Sequence, residues 1–296
     1  MQTMHKAGFV NIVGNPNVGK STLMNVLVGE RISIATFKAQ TTRHRIMGIC
    51  NTDEMQIVFS DTPGILKPNY KLQESMLNFS RSALTDADIL LYVTDVIETS
   101  DKNSEYIEKV RCQTIPVLVL INKIDLTNQE KLTELVETWQ GQLPQAEVIP
   151  ISATSKFNVN YVLKRVKELL PDSPPYFDKS QWTDKPARFF VSEIIREKIL
   201  LYYDKEIPYS VEVSIEHFKE EAKIIFIRAV IYVERESQKG IIIGKEGKAL
   251  KKVATEARRS LERFFDKKIF LETFVKVDKD WRSSEKELRN FGYQLD

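Results

Sequence analysis

Gly14-Asn15-Pro16-Asn17-Val18-Gly19-Lys20-Ser21 sets two glycines around a short loop and ends it in a lysine and a hydroxyl. Those residue types at that spacing suit phosphate binding. Backbone N–H groups turn inward around phosphate oxygens, the lysine neutralises the outer phosphates, and the hydroxyl is a hard oxygen ligand for Mg2+. Such a match arises by chance in about one chain in a hundred. Asp61-Thr62-Pro63-Gly64 follows, offering a carboxylate to Mg2+ and a glycine N–H to a γ-phosphate. Asp-x-x-Gly alone carries no weight, since it occurs about once by chance in a chain of this size. Asn122-Lys123-Ile124-Asp125 comes third. The three motifs in this order, each closing an apolar run, imply a site for GTP.

Base choice rests on Asp125, whose carboxylate can accept hydrogen bonds from N1–H and the exocyclic amine of guanine. Adenine supplies neither donor and would leave the carboxylate unpaired, at a cost of several kcal/mol. Lys123 is expected to lie across the base and Asn122 to brace the phosphate loop. Ser152-Ala153 is positioned for a backbone N–H to reach guanine O6. Gln40-Thr41-Thr42-Arg43 supplies two more hydroxyls. Thr42 is preferred to Thr41 as the one that completes Mg2+ coordination with Ser21 and Asp61, while Arg43 and His44 are expected to be solvated loop residues. The expected GTP contacts are Gly14 through Thr22, Thr41, Thr42, Asp61, Thr62, Pro63, Gly64, Ile65, Asn122, Lys123, Asp125, Ser152 and Ala153. Within that set Lys20, Thr42 and Gly64 are the candidate catalytic residues. The main rival is a small-molecule kinase built on the same phosphate loop, which would have no need of Asn-Lys-x-Asp.

These loops must be held by strands. Phe9–Val13, Gln56–Phe59, Ile89–Thr94, Val117–Ile121 and Val148–Ile151 are short, near-continuous apolar runs, as in parallel strands buried on both faces. Helical patterns over Lys20–Val28, Asn103–Arg111, Gln129–Gln140 and Asn158–Leu170 alternate with them. The expected fold class is an α/β P-loop GTPase domain, with a mostly parallel sheet and helices on both faces. Ile46–Asn51 adds an antiparallel edge strand, joined to the next through Thr52-Asp53-Glu54.

The texture then changes. Pro171-Asp172-Ser173-Pro174-Pro175-Tyr176-Phe177-Asp178 is polar and proline-rich and is expected to be an interdomain linker. The expected division is a G domain over 1–172, a linker over 173–182 and a second domain over 183–296. The second domain has a helix at Ala187–Tyr202, strands at Tyr209–His217 and Lys223–Val233, a turn, a helix at Lys248–Phe265 and a strand at Lys268–Val277. That order is α+β. Ile243-Gly244-Lys245-Glu246-Gly247-Lys248 places Gly-x-x-Gly before the long helix, in the context of a KH domain whose loop clamps a single-stranded nucleic-acid backbone. Leu250, Val253, Ala254, Ala257, Leu261, Phe264 and Phe265 form one apolar face of that helix, and Lys248, Lys252, Arg259 and Arg263 lie opposite. Lys245 through Lys268 holds nine basic and four acidic residues. Ile243, Gly244, Lys245, Glu246, Gly247, Lys248 and Lys252 are therefore the candidate RNA-binding residues.

The bulk properties agree. A chain of 296 residues accommodates two domains, and a net charge of +2 neither requires nor excludes a nucleic-acid partner. Cys50 and Cys112 form no framework, the start Met1-Gln2-Thr3-Met4-His5-Lys6 has no apolar signal core, and no apolar run nears the roughly 18 residues that span a bilayer. A cytoplasmic monomer is the expectation.

Motifs and domain order together resemble the Era family of bacterial GTPases: a TrmE–Era-type G domain, a proline-rich linker, and a KH domain bearing Ile-Ile-Ile-Gly-Lys-Glu-Gly-Lys. The resemblance covers essentially the whole chain. It implies a type-II KH fold, binding near the 3′ end of small-subunit ribosomal RNA, a GTP-dependent switch in assembly of the small ribosomal subunit, and peripheral contact with the inner membrane. Ile65 stands where Ras-like GTPases have the glutamine that orients the attacking water, a substitution that agrees with the family. Asn17 matches a position that binds K+ in some bacterial GTPases, making K+ a candidate second cation beside Mg2+. Two alternatives stay open, a GTPase whose C-terminal domain binds protein or membrane instead of RNA, and a P-loop kinase that transfers phosphate to a small molecule.

Overall fold

The apolar runs of the first half pair into a six-stranded sheet in the computed structural model, which describes residues 5–98 and 104–293. Two compact units result, Met1–Lys67 with Met76–Asp184 and Pro68–Ser75 with Lys185–Asp296. Through Leu169 the order is β1 (Lys6–Gly14), α1 (Lys20–Val28), β2 (Ile46–Asn51), β3 (Met55–Asp61), α2 (Lys71–Thr85), β4 (Ile89–Asp95), α3 (Ser104–Arg111), β5 (Val117–Asn122), α4 (Gln129–Gln142), β6 (Glu147–Pro150) and α5 (Val159–Leu169). The sheet runs β2-β3-β1-β4-β5-β6, with β2 antiparallel to β3 and every other pair parallel. Every residue of β4 and β5 is buried, which explains the apolar runs that lead to their polar carboxyl ends. The sequence patterning lacks α2, although Leu72, Met76 and Ala83 recur at helical spacing. Asn103, the expected start of a helix, lies outside the described residues, as does the Met1–Met4 stretch.

Register brings the motifs together. Ile12 pairs with Asp61, Gly14 with Val93, and Asp95 with Asn122, so the carboxyl ends of β1, β3, β4 and β5 open on one crevice.

The proline-rich segment is bound along the sheet. Gln56 Oε1 accepts the N–H groups of Tyr176 (2.7 Å) and Phe177 (3.0 Å), and the Tyr176 ring lies 4.8 Å from Phe9. Ile49 N–H donates to Trp182 O, the Thr183 hydroxyl to Met47 O, and Met47 N–H to Asp184 Oδ1. β2 is an edge strand with one row of backbone groups unpaired by the sheet, and this strap covers it.

The second unit packs helices on a three-stranded sheet. It contains α6 (Ala187–Tyr202), α7 (Ile207–Ser210), β7 (Glu212–Glu220), β8 (Ile224–Val233), α8 (Glu236–Ile243), α9 (Lys248–Phe265), β9 (Lys268–Val277) and α10 (Glu285–Asn290). The sheet order is β7-β8-β9, antiparallel then parallel. Val253, Ala257 and Leu261 enter its core as their spacing requires. Two expectations are corrected. Tyr209 sits in the short helix α7, where Pro208 favours a helical first turn, and β7 begins only at Glu212. The expected turn after β8 contains α8, whose start is held by Gln238 Oε1 accepting the Glu234 and Arg235 N–H groups. Among the described residues no helix is long and apolar enough to cross a membrane.

Candidate nucleotide and nucleic-acid sites

The phosphate loop joins β1 to α1. Gly19 has φ 97°, and a Cβ there would stand 2.2 Å from Asn122 Nδ2, so only glycine fits. Lys20 is buried, and its ammonium donates to Gly14 O (3.0 Å) and Asn15 O (2.7 Å). Burial lowers its pKa to about 8, against the opposing pull of Asp61 and Glu98. Thr22 lies in the first turn of α1.

Three oxygens converge beside it. The Ser21 hydroxyl is 2.8 Å from the Thr42 hydroxyl and donates to Asp61 Oδ2 at 2.7 Å, and Thr42 lies 3.4 Å from the same oxygen. Asp61 Oδ1 is buried without a hydrogen-bond partner, and burial raises this carboxyl while the Ser21 hydroxyl and Lys20 ammonium oppose the shift. Two hydroxyls and a carboxylate with an unused buried oxygen are the donor set of a small hard cation such as Mg2+. Thr41 is engaged elsewhere, its hydroxyl bonded to Lys38 O and beside Thr36 Oγ1. Arg43 corrects an expectation, being wholly buried rather than solvated, and the His44 ring lies 6.1 Å from Phe79 and is partly buried.

The Asp61-Thr62-Pro63-Gly64 segment lies directly on the phosphate loop. A Cβ on Gly64 would come within 2.6 Å of Pro16 Cα, and Ile65 N–H donates to Gly14 O. The side chains of Thr62 and Ile65 turn away from the crevice: the Thr62 hydroxyl donates to Ile12 O, and Ile65 joins the apolar core with Val13, Leu77 and Tyr92. Pro63 O accepts from Ser80. In this segment only backbone groups and Asp61 remain to meet a nucleotide.

At the base end, Asn122 Nδ2 donates to Val18 O (2.8 Å) and its Oδ1 accepts the Ala153 N–H (2.9 Å). Asn122 thus braces the phosphate loop. Ala153 N–H is spent on Asn122 and Ser152 N–H on Phe157 O, so neither is free for guanine O6 in this arrangement. Lys123 has φ 63° and its ammonium donates to Asn17 O and Asp95 Oδ2, both at 2.6 Å, which leaves its stem across the crevice. Asn17, with φ 64°, is exposed. The Asp125 carboxylate is exposed and bonded by no described protein group. No sequence motif marks Asp95 as a site residue, although it ends an apolar strand beside Asn122.

In the second unit, Gly244 (φ 70°) ends α8 and Gly247 (φ 72°) precedes α9. A Cβ on Gly244 would stand 2.6 Å from that of Ala249. Glu246 takes φ 55° and pairs with exposed Lys248 at 2.7 Å, which offsets the acidic residue in the loop. Lys252 lies 4.5 Å from the centre of the Tyr202 ring, an aromatic contact absent from the expected set. Several basic side chains of α9 are paired along the helix, Arg258 with Glu262 and Arg259 with Glu256. Lys245, Lys248 and Lys252 cluster at its start, where backbone N–H groups also favour anions.

Fold and crevice define a P-loop GTPase domain joined to a KH domain. A family model described as 50S ribosome-binding GTPase matches residues 9–123, and a KH domain model matches residues 206–282. The chain is 43% identical over 296 residues to GTPase Era of Staphylococcus epidermidis, covering 99% of each chain, and it belongs to the Era family of GTPases. A crystal structure of Era with MgGDPNP and nucleotides 1506–1542 of 16S ribosomal RNA superposes with TM-score 0.93 at 38% identity, covering 98% of this chain and 100% of that one. A point variant of Aquifex aeolicus Era bound to GDP and aluminium fluoride gives the same TM-score, identity and coverage.

Proposed function

We propose that this Era-family GTPase hydrolyses GTP to GDP and phosphate as a switch controlling its grip on small-subunit ribosomal RNA near the 3′ end, in assembly of that subunit. The convergence of Ser21, Thr42 and Asp61 carries the nucleotide part of this reading. Bound Mg2+ supplies charge neutralisation at the β- and γ-phosphates. Ser21 and Thr42 would hold it through their hydroxyls, with Asp61 as the carboxylate of the set. Lys20 exchanges its two carbonyl partners for phosphate oxygens. The Gly64 N–H meets the γ-phosphate and loses that contact on hydrolysis, which frees its loop. Asp125 selects guanine, with the Lys123 stem against the base and Asn122 holding the loop.

A buried Ile65 leaves the attacking water to be ordered by other groups. K+ held at Asn17 is our candidate for the added positive charge. Faster turnover in K+ than in Na+ is expected, and equal turnover removes it.

The loop Ile243–Lys248 and Lys252 clamp single-stranded RNA, a reading supported by the Era complex with 16S ribosomal RNA. Residues 1–172 form the G domain and 183–296 the RNA-binding domain, and 173–182 joins them. The protein acts as a cytoplasmic monomer with peripheral contact at the inner membrane.

Anisotropy with a labelled fragment of the 3′ end tests the RNA part. Gly244→Asp with Gly247→Asp should abolish RNA affinity and spare GTP binding. Unchanged RNA affinity would refute this site and favour a domain that binds protein or membrane.

A further inference from the structure

Three residues after Thr42 in the chain lies a buried guanidinium, that of Arg45. Arg45 Nε donates to Ser60 Oγ at 2.6 Å and Nη2 to Asn11 Oδ1 at 3.1 Å. Its Nη1 and Nη2 also donate to the two carboxylate oxygens of Asp86, at 2.6 and 2.9 Å. Asn11 is oriented in turn, its amide donating to Ala83 O and Asp86 Oδ1. Asn11 and Ser60 are fully buried and Arg45 nearly so.

Two of these partners, and Arg45 itself, belong to segments that carry a site residue. Asn11 is three residues before Gly14 on β1, Ser60 directly precedes Asp61 on β3, and Arg45 itself is three residues after Thr42. Asp86 follows α2 at the turn into β4. Strand pairing of β2 with β3 starts one residue past Arg45, with Ile46 opposite Asp61. Arg45 is thus the point at which the loop carrying Thr42 leaves the sheet. Three residues span about 10 Å at most, so fixing Arg45 confines where Thr42 can reach. The planar fork, bidentate on Asp86, fixes direction as well as distance.

We propose that Arg45 is a positioning residue for GTP hydrolysis: it anchors the end of the Thr42 loop to β1, β3 and the α2–β4 turn, so that Thr42 meets the metal beside Ser21 and Asp61. The proposal rests on those three residues as Mg2+ ligands. GDP does not need Thr42 at the metal, so its binding does not depend on the anchor.

Arg45→Lys keeps the charge and removes the fork, and Asp86→Asn removes the bidentate acceptor at a half-exposed position without a cavity. Both variants should raise the Mg2+ concentration for half-maximal GTP turnover and lower kcat, by about tenfold for Arg45→Lys, with GDP affinity in EDTA unchanged. Equal losses for GTP and GDP, or no change in Mg2+ dependence, would overturn it. If Arg45→Lys does not fold, Asp86→Asn decides alone. Ser21→Ala separates the two levels: unaltered Mg2+ dependence in that variant would refute the ligand assignment itself.

Discussion

Thr42 Oγ1 stands 2.8 Å from Ser21 Oγ, although one belongs to an irregular loop and the other to the first turn of a helix. Nothing in local chain geometry requires two neutral hydroxyls to meet beside a buried carboxylate. Hydrogen bonds to the Asp61 carboxylate hold them there, the arrangement that the proposed shared cation would use, and Thr41 is left out because its hydroxyl is satisfied within its own loop. Thr42→Ala should therefore lower Mg2+-dependent GTP turnover by about ten- to a hundredfold, and Thr41→Ala should change it far less. Single-turnover hydrolysis by the two variants checks this.

Asp125 has no described protein partner, so its carboxylate is available to the base. Asp125→Asn should weaken GTP binding by about a hundredfold, since an amide cannot accept from both guanine donors. The same amide can donate to the 2-oxo group of xanthine, so the variant should favour xanthosine triphosphate. Competition between the two nucleotides measures the change.

Restoring the glutamine of Ras-like GTPases should not restore their mechanism. Ile65 is buried among Val13, Leu77 and Tyr92, and Ile65→Gln would place an amide in that core. The expected result is a loss of about 2 kcal/mol in unfolding free energy with no gain in turnover. Denaturant unfolding and steady-state hydrolysis test the two halves separately.

Lys20 gives a pH signature. Burial holds its pKa at about 8 in the free protein, and nucleotide phosphates push it back up. Without Mg2+, GDP binding at pH 8 should take up about half a proton, and affinity should fall as pH rises further, because the bound form keeps a proton that the free form has lost. Calorimetry in buffers of different ionisation enthalpy reads the uptake directly.

The two glycines of the KH loop should differ. Gly244→Ala meets the Ala249 side chain and should cost about 2 kcal/mol, whereas Gly247→Ala finds open space and bears only its positive φ, about 1 kcal/mol. Thermal unfolding ranks them.

Much of this was legible in the sequence because the motifs close strands. Gly14, Asp61 and Asn122 end apolar runs, and parallel pairing then leaves them no place but one crevice. The amphipathic period of α9 likewise fixed its buried face. Side-chain partners were not legible, because they depend on register between distant strands. Asp95 is a site residue only since it pairs beside Asn122, and Arg45 looks like one more loop cation until Asn11, Ser60 and Asp86 surround it. The strap 173–184 has the composition of a free linker, and its binding to β2 follows from an edge that composition does not reveal.

The most direct test of one switch built from two domains is GTP turnover in Mg2+ and K+, with and without a fragment from the 3′ end of small-subunit ribosomal RNA. Stimulation or inhibition by that fragment, absent with a scrambled sequence and lost in Gly244→Asp with Gly247→Asp, is the predicted result. Turnover indifferent to a fragment that demonstrably binds would contradict it.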